Sequence, residues 1–499
     1  MLTRLRVSGF KNLVDVDLRF GPFTCVIGPN GAGKSNLFDA IRFLGALANH
    51  TLMEAATDVR DQRNGTAHVR DLFHRVGDRY ADRMTFVADM IVPGHAIDDL
   101  GQEVRASTTF LRYSIELAYR DPGDSLGRGA LAIVKEELVH ISKRDAPAQL
   151  LFPHSAGQWR KSVVTGTRAA PYFISTEGDA DNRVIKLHHD VGSSGRPLRW
   201  PASELPRTVL SAANAAESPT VMAARREMES WRLVQLEPSA LRQPDEYISP
   251  TQLGPDGRHL AATVYRLARS ADRHERNDGD DAARGGTTTK GEDERVYSRI
   301  ANRLAAFIDD VHEIYMDLDE KREILTLYIR DGAGNSFPAR ALSDGTLRVL
   351  ALSVLESDPA MQGVLCLEEP ENGIHPGRIP AILELLQDIA VDTTEPVGSD
   401  NPLRQVVVNT HSPAVFQQVP DGSVVFVKTK EAVDPTGRRF KAAHFLCLSG
   451  TWRDAAGEAA ARGDLLVYLN PVLQEDDLDL GPQKRVIDRE DMSQLAFSS

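Results

Sequence analysis

The chain has 499 residues, 41% hydrophobic and 26% charged, with 58 Lys and Arg against 71 Asp and Glu for a formal net charge of −13. That length supports a large core divided into two or three lobes, and the sign of the charge excludes a protein that coats nucleic acid with its whole surface. No apolar run reaches the ~18 to 20 residues that span a bilayer and the N-terminus has no signal-peptide hydrophobic region, so the expected location is the cytoplasm, without membrane contact.

Three cysteines, Cys25, Cys366 and Cys447, indicate neither a disulfide framework nor a zinc site. Leu2 to Ser8 and Val14 to Phe20 alternate apolar and polar as half-buried strands, joined by Gly9-Phe10-Lys11-Asn12. A buried strand, Thr24 to Ile27, then runs into Gly28-Pro29-Asn30-Gly31-Ala32-Gly33-Lys34-Ser35, a complete G-x-x-x-x-G-K-S phosphate loop, and a helix is expected over Asn36 to Leu47. A triphosphate needs backbone N–H groups that close around it without Cβ atoms in the way, which Gly28, Gly31 and Gly33 permit. Asn30 and Asn36 complete the expected ATP-binding set. Lys34 is placed to reach the β- and γ-phosphates, and Ser35 to hold Mg²⁺.

Met84 to Val92, Thr108 to Tyr119 and Leu131 to Ile141 read as strands. A local basic stretch lies within Trp159 to Trp200 (Arg160, Lys161, Arg168, Arg183, Lys186, Arg196, Arg199), diluted by Glu177, Asp179, Asp181 and Asp190, and any DNA contact is expected there. Helical signals follow over Val221 to Trp231 and Leu260 to Ser270, and residues 272–294, charged and almost without apolar groups, read as a mobile linker. Val296, Ile300, Leu304, Phe307, Ile308 and Val311 fall on one helical face; Glu323 to Arg330 is a strand that the turn Asp331 to Asn335 closes.

The last third carries the remaining chemistry. Leu342-Ser343-Asp344-Gly345-Thr346 opens a helix expected over Thr346 to Glu356, and a Ser cap followed by Gly at a helix N-terminus can take an anion, although the string alone is also a common turn and cap. Val364-Leu365-Cys366-Leu367 is a strand buried on both faces that ends in Glu368-Glu369, where carboxylates face a nucleotide crevice. Glu368 is the expected metal ligand beside Ser35, and Glu369 the residue that polarises the attacking water. Gln405 to Val408 is another buried strand, ending in Asn409-Thr410-His411.

In this order the motifs resemble the ABC-type ATPases of the RecF, SMC and OLD group. The resemblance implies an α/β fold: a P-loop ATPase head with a mixed sheet flanked by helices, an antiparallel β-lobe and a large, mainly helical insertion. It makes Leu342 to Thr346 the signature motif, whose Ser343 and Gly345 complete the ATP site of a second subunit, Glu371 to Pro376 the D-loop, and His411 the switch histidine. The Phe-Lys-Asn turn makes Lys11 a candidate phosphate contact. The Q-loop glutamine has no clear position, since Gln62 and Gln102 both lie outside a strand-end context. Two departures stand out: Glu368 occupies a position where most relatives carry Asp, which implies slow turnover, and Asp344 replaces a glycine of many signatures.

Phosphate loop and signature stand about 300 residues apart, more than one ATPase core needs. The expected division is 1–92 as the N-terminal head, 93–202 as β-lobe and start of insertion, 203–295 as helical insertion, 296–425 as the C-terminal head and 426–499 as an extension with an acidic tail at Glu475, Asp476, Asp477 and Asp479. Too little chain follows His411 for the TOPRIM nuclease domain of OLD enzymes. Compact PtuA-like AAA-type ATPases of anti-phage systems resemble the chain over most of its length, which implies a homodimer or higher oligomer that controls a separately encoded effector such as a nuclease. A RecF-like DNA-maintenance ATPase and a non-catalytic assembly scaffold are the alternatives.

Overall fold

In the computed structural model, residues 1–59, 68–121, 129–166, 168, 170–179, 182–190, 196–277, 290–308 and 310–469 are described. The acidic tail lies outside them, as does Gln62. Met1–Ala459 forms one compact unit; of the second, Ala460–Ser499, the described part is the helix Arg462–Leu469.

Two sheets carry the larger unit. The first has eight strands, all antiparallel, in the order Leu198–Pro201, Val184–Leu187, Tyr172–Glu177, Ala130–His140, Phe110–Arg120, Arg83–Ile91, Leu2–Ser8 and Val16–Arg19. It contains the expected β-lobe strands and both N-terminal strands. Leu5 and Val7 face the core while Arg4 and Arg6 on the same strand stay half-exposed, the period-2 pattern of a sheet with one wet face.

The second sheet has six strands in the order Arg232–Val234, Gly363–Glu368, Arg404–Thr410, Phe23–Ile27, Val424–Val433 and Arg439–Leu446; the first five run parallel and the last antiparallel. Its central strands are buried on both faces, which is why they read as unbroken apolar runs. The helix Lys34–Leu47 buries Leu37, Phe38, Ile41, Phe43, Leu44 and Leu47 between the sheets. There Phe10 meets Phe43 and Phe86, with ring centroids 6.0 and 5.3 Å away. Gln405 clamps the two sheets together: its side chain accepts from Leu2 N (2.8 Å) and donates to Leu2 O (2.7 Å) and Gly21 O (2.8 Å).

Three expectations need correction. Arg232–Val234 is the edge strand of the ATPase sheet, parallel to Gly363–Glu368, so the chain re-enters the head inside the stretch read as a helical insertion. A three-residue strand is too short to carry a periodicity signal. The helix containing Val296, Ile300 and Leu304 ends at Ala305, and Val311 opens a strand, Val311–Asp319, that pairs with Ile324–Asp331. N–H groups of Phe307 and Ile308 fold back on Leu304 O, and Asp310 takes φ +80°, so a single helical face cannot run through. The stretch read as a linker is helical at both ends, within Leu260–Asn277 and Lys290–Ala305; residues 278–289 lie outside the described part. Charged residues with good helix propensity continue a helix without an apolar face. These two helices pack on each other and on the helix of the expected signature motif, Asp344–Ser357.

Candidate nucleotide site

Phe23–Ile27, Gly363–Glu368 and Arg404–Thr410 are adjacent parallel strands, so their C-terminal ends bring the phosphate loop, Glu368-Glu369 and Asn409 to one edge. A cleft of about 390 Å³ opens there, lined by Asn30, Gly31, Gly33, Lys34, Ser35 and Asn36 on one side and by Glu368, Glu369 and Asn409 on the other. Gly28 lies beneath, where a Cβ would come within 2.1 Å of Val427 O; at Gly33 (φ +115°) it would meet Ala443 Cβ at 2.6 Å. Lys34 is buried, and its ammonium donates to Gly28 O (2.7 Å) and Pro29 O (2.9 Å). Burial pulls its pKa down, opposed by the charges of Glu369 and Glu368. A buried ammonium held by neutral carbonyls beside a helix N-terminus suits a phosphate ligand.

Across the cleft, Glu368 accepts from Asn409 Nδ2 at 3.2 Å. Ser35 and Glu368 both line the cavity and would hold Mg²⁺, which when bound neutralises phosphate charge. Glu369 sits in the left-handed region (φ +44°), a conformation non-glycine residues adopt at a cost of about 1–3 kcal/mol. Its N–H donates to Asn409 O (3.0 Å), its Oε1 meets His411 Nδ1 at 2.5 Å and its Oε2 accepts from Asn372 Nδ2 at 2.7 Å. Behind it, the buried Glu371 accepts from Thr410 Oγ1; desolvation raises its pKa.

The other expected residues lie elsewhere. Lys11 points to Asp39 Oδ2 (2.5 Å), in an adjoining groove that shares Ser35 and Glu368 with the cleft. Ser343 caps the signature helix by accepting from Thr346 N (3.2 Å), and Gly345 packs so closely that a Cβ would sit 2.5 Å from Gly373 O. Neither lines the cleft; from that helix the lining residue is Arg348. In the basic stretch, Arg168 is committed to Asp190 (3.1 Å) and Lys186 to Glu177.

Gln235 and Glu237, which sequence reasoning missed, also line the cleft, directly after the edge strand Arg232–Val234. They stand at a strand end next to Gly363–Glu368, the context that Gln102, in an exposed hairpin, lacks. The turn Gly254-Pro255-Asp256-Gly257 holds them, with Gln235 N on Pro255 O (2.8 Å) and Glu237 N on Asp256 O (2.9 Å).

Two family models match the chain: "RecF/RecN/SMC N terminal domain" over residues 1–71, and "AAA domain, putative AbiEii toxin, Type IV TA system" over residues 204–416. Both matches, at the two ends of the split head, support an ABC-type ATPase of the RecF/SMC/OLD group. Similar proteins of that group include the OLD nuclease of Thermus scotoductus, 54% identical over 41 residues (8% of this chain and 8% of that protein). The DNA replication and repair protein RecF of Magnetococcus marinus is 38% identical over 81 residues (15% and 21%). The chain thus covers far less than two thirds of either relative. An SMC head domain from Thermotoga maritima aligns over 90% of this chain and 99% of its own at 11% identity and a TM-score of 0.35, a likeness too loose to bear on the site. Among the described residues, no helix is long and apolar enough to cross a membrane.

Proposed function

We propose that this ABC-type ATPase is an ATP-driven switch: it binds and slowly hydrolyses ATP, closes into a dimer on two ATP molecules and thereby controls a separately encoded effector in defence against phage or mobile DNA. The observation that carries the reading is the single cleft in which Lys34 and Ser35 face Glu368 and Glu369, with Glu369 held by His411. In a dimer, Ser343 and Gly345, which stand away from their own cleft, would supply N–H groups to the partner's nucleotide. Glu369 would orient the attacking water, and His411 would contact the γ-phosphate. Domain organisation is consistent with one head interrupted by a helical hairpin, Leu260–Asn277 and Lys290–Ala305.

The defence setting is supported by the resemblance to PtuA-like ATPases and by the description of the model matching 204–416, which names a toxin of a toxin–antitoxin system. RecF-like DNA maintenance is the second reading, favoured by the RecF relatives. Mass photometry of Glu369→Gln with and without ATP and Mg²⁺, alongside wild-type turnover and its response to DNA, tests both. ATP-dependent dimers with wild-type turnover below about 1 s⁻¹, against a typical enzyme median of about 10 s⁻¹, are expected; strong DNA stimulation would favour the RecF-like reading, and an ATP-insensitive assembly would refute the switch.

A further inference from the structure

Glu369 is the expected general base, yet its position is not set by its own strand alone. Asn372 Nδ2 donates to Glu369 Oε2 at 2.7 Å while Asn372 N donates to Glu369 O at 3.1 Å, so one residue grips both ends of the glutamate. Asn372 is gripped in turn: Arg348 Nη1 donates to its carbonyl oxygen at 2.8 Å. Arg348 Nε is buried without a hydrogen-bond partner among the described residues, so the bond from Nη1 to the Asn372 carbonyl is what orients the guanidinium. Arg348 lies on the signature helix one turn after Gly345, whose backbone rests on Gly373 with no room for a Cβ. The start of that helix and the backbone of 372–373 are therefore packed against each other without slack.

We propose that Asn372 and Arg348 are positioning residues that tie the Glu369 carboxylate to the signature helix of the same subunit, so that engagement of Ser343 and Gly345 by a second subunit's nucleotide sets the base in the first subunit's own cleft. The proposal rests on the switch reading above. It assigns the chain a route between two sites: helix start, Arg348, Asn372, Glu369. A carboxylate fixed by two hydrogen bonds can present only one orientation to water, and an error of about 1 Å in such placement costs on the order of 100-fold in rate.

The test is steady-state ATP hydrolysis by Asn372→Ala, Arg348→Ala, Arg348→Lys and the double variant Arg348→Ala/Asn372→Ala. Because the Asn372 side chain is exposed, its truncation removes no core packing. Expected are a fall in kcat of about 10-fold or more for Asn372→Ala with KM within about two-fold of wild type, less than the ~100-fold of losing the general base itself, partial rescue by Arg348→Lys relative to Arg348→Ala, and a double variant no slower than Asn372→Ala alone. Single losses that multiply in the double variant, or a KM that rises as kcat falls, would overturn the relay. Wild-type turnover that Asn372→Ala leaves intact overturns this proposal alone; absence of wild-type turnover overturns the switch reading and this proposal with it.

Discussion

Glu369 Oε1 and His411 Nδ1 stand 2.5 Å apart at the ends of two adjacent parallel strands, and Glu369 reaches that contact through a left-handed backbone. The pairing concentrates the expected hydrolytic groups at one point while leaving the phosphate loop on the opposite wall. Binding and hydrolysis are thus separable by mutation. Glu369→Gln should lower turnover by about 100-fold or more, the scale of a lost general base, with ATP affinity retained in a fluorescent-nucleotide titration. His411→Ala should reduce kcat less and also spare affinity. Loss of binding in either variant would contradict the division of labour.

The glycines of the phosphate loop should differ sharply in tolerance. Gly31 has φ +75° with open space around a built Cβ, whereas Gly33 at φ +115° has Ala443 and Asn12 within 3 Å. Gly31→Ala meets no neighbouring protein atom, so its cost to the fold should be the left-handed backbone penalty of about 1–2 kcal/mol alone. Gly33→Ala adds a clash at the start of Lys34–Leu47 and should abolish the ATP-dependent rise in melting temperature, which a functional site gives as RT ln(1 + [ATP]/Kd). Equal behaviour of the two variants in thermal melts with and without ATP would count against this geometry.

The places of the phosphate loop, Glu368, Glu369 and His411 at one edge of the sheet were legible because each follows an apolar strand of at least four residues, whose length and terminal residue mark a strand end. Gln235 was not, because Arg232–Val234 is three residues long and becomes a strand only by pairing with Leu365 to Leu367, which follow more than a hundred residues later. Asn372 lies in the expected D-loop, but its link to Arg348 was invisible for the same reason: their hydrogen bond is a tertiary contact between a helix and a loop. Gln235→Ala should therefore lower kcat for ATP at unchanged stability; a melting temperature that falls with the rate would make Gln235 a packing residue.

Burial of Glu136 predicts a pH-dependent stability unrelated to the nucleotide. The carboxylate lies fully buried in the eight-stranded sheet, accepting from Val209 N (2.8 Å), Leu210 N (2.9 Å) and Tyr113 Oη (3.2 Å). Desolvation nevertheless outweighs those bonds and raises its pKa from 4.5 to about 7. With the folded-state pKa above the unfolded one, the folded protein binds the extra proton, so the stabilising contribution is full below about pH 4.5 and is lost as pH rises through about 7. The limit of the effect is about 3 kcal/mol at about 1.4 kcal/mol per pKa unit. Urea midpoints should carry a component that falls between pH 5 and pH 8, and Glu136→Gln should remove that component, even though the amide forfeits one of the accepted hydrogen bonds and lowers stability at pH 5. A variant whose midpoints track wild type across the whole range would show that another group titrates there.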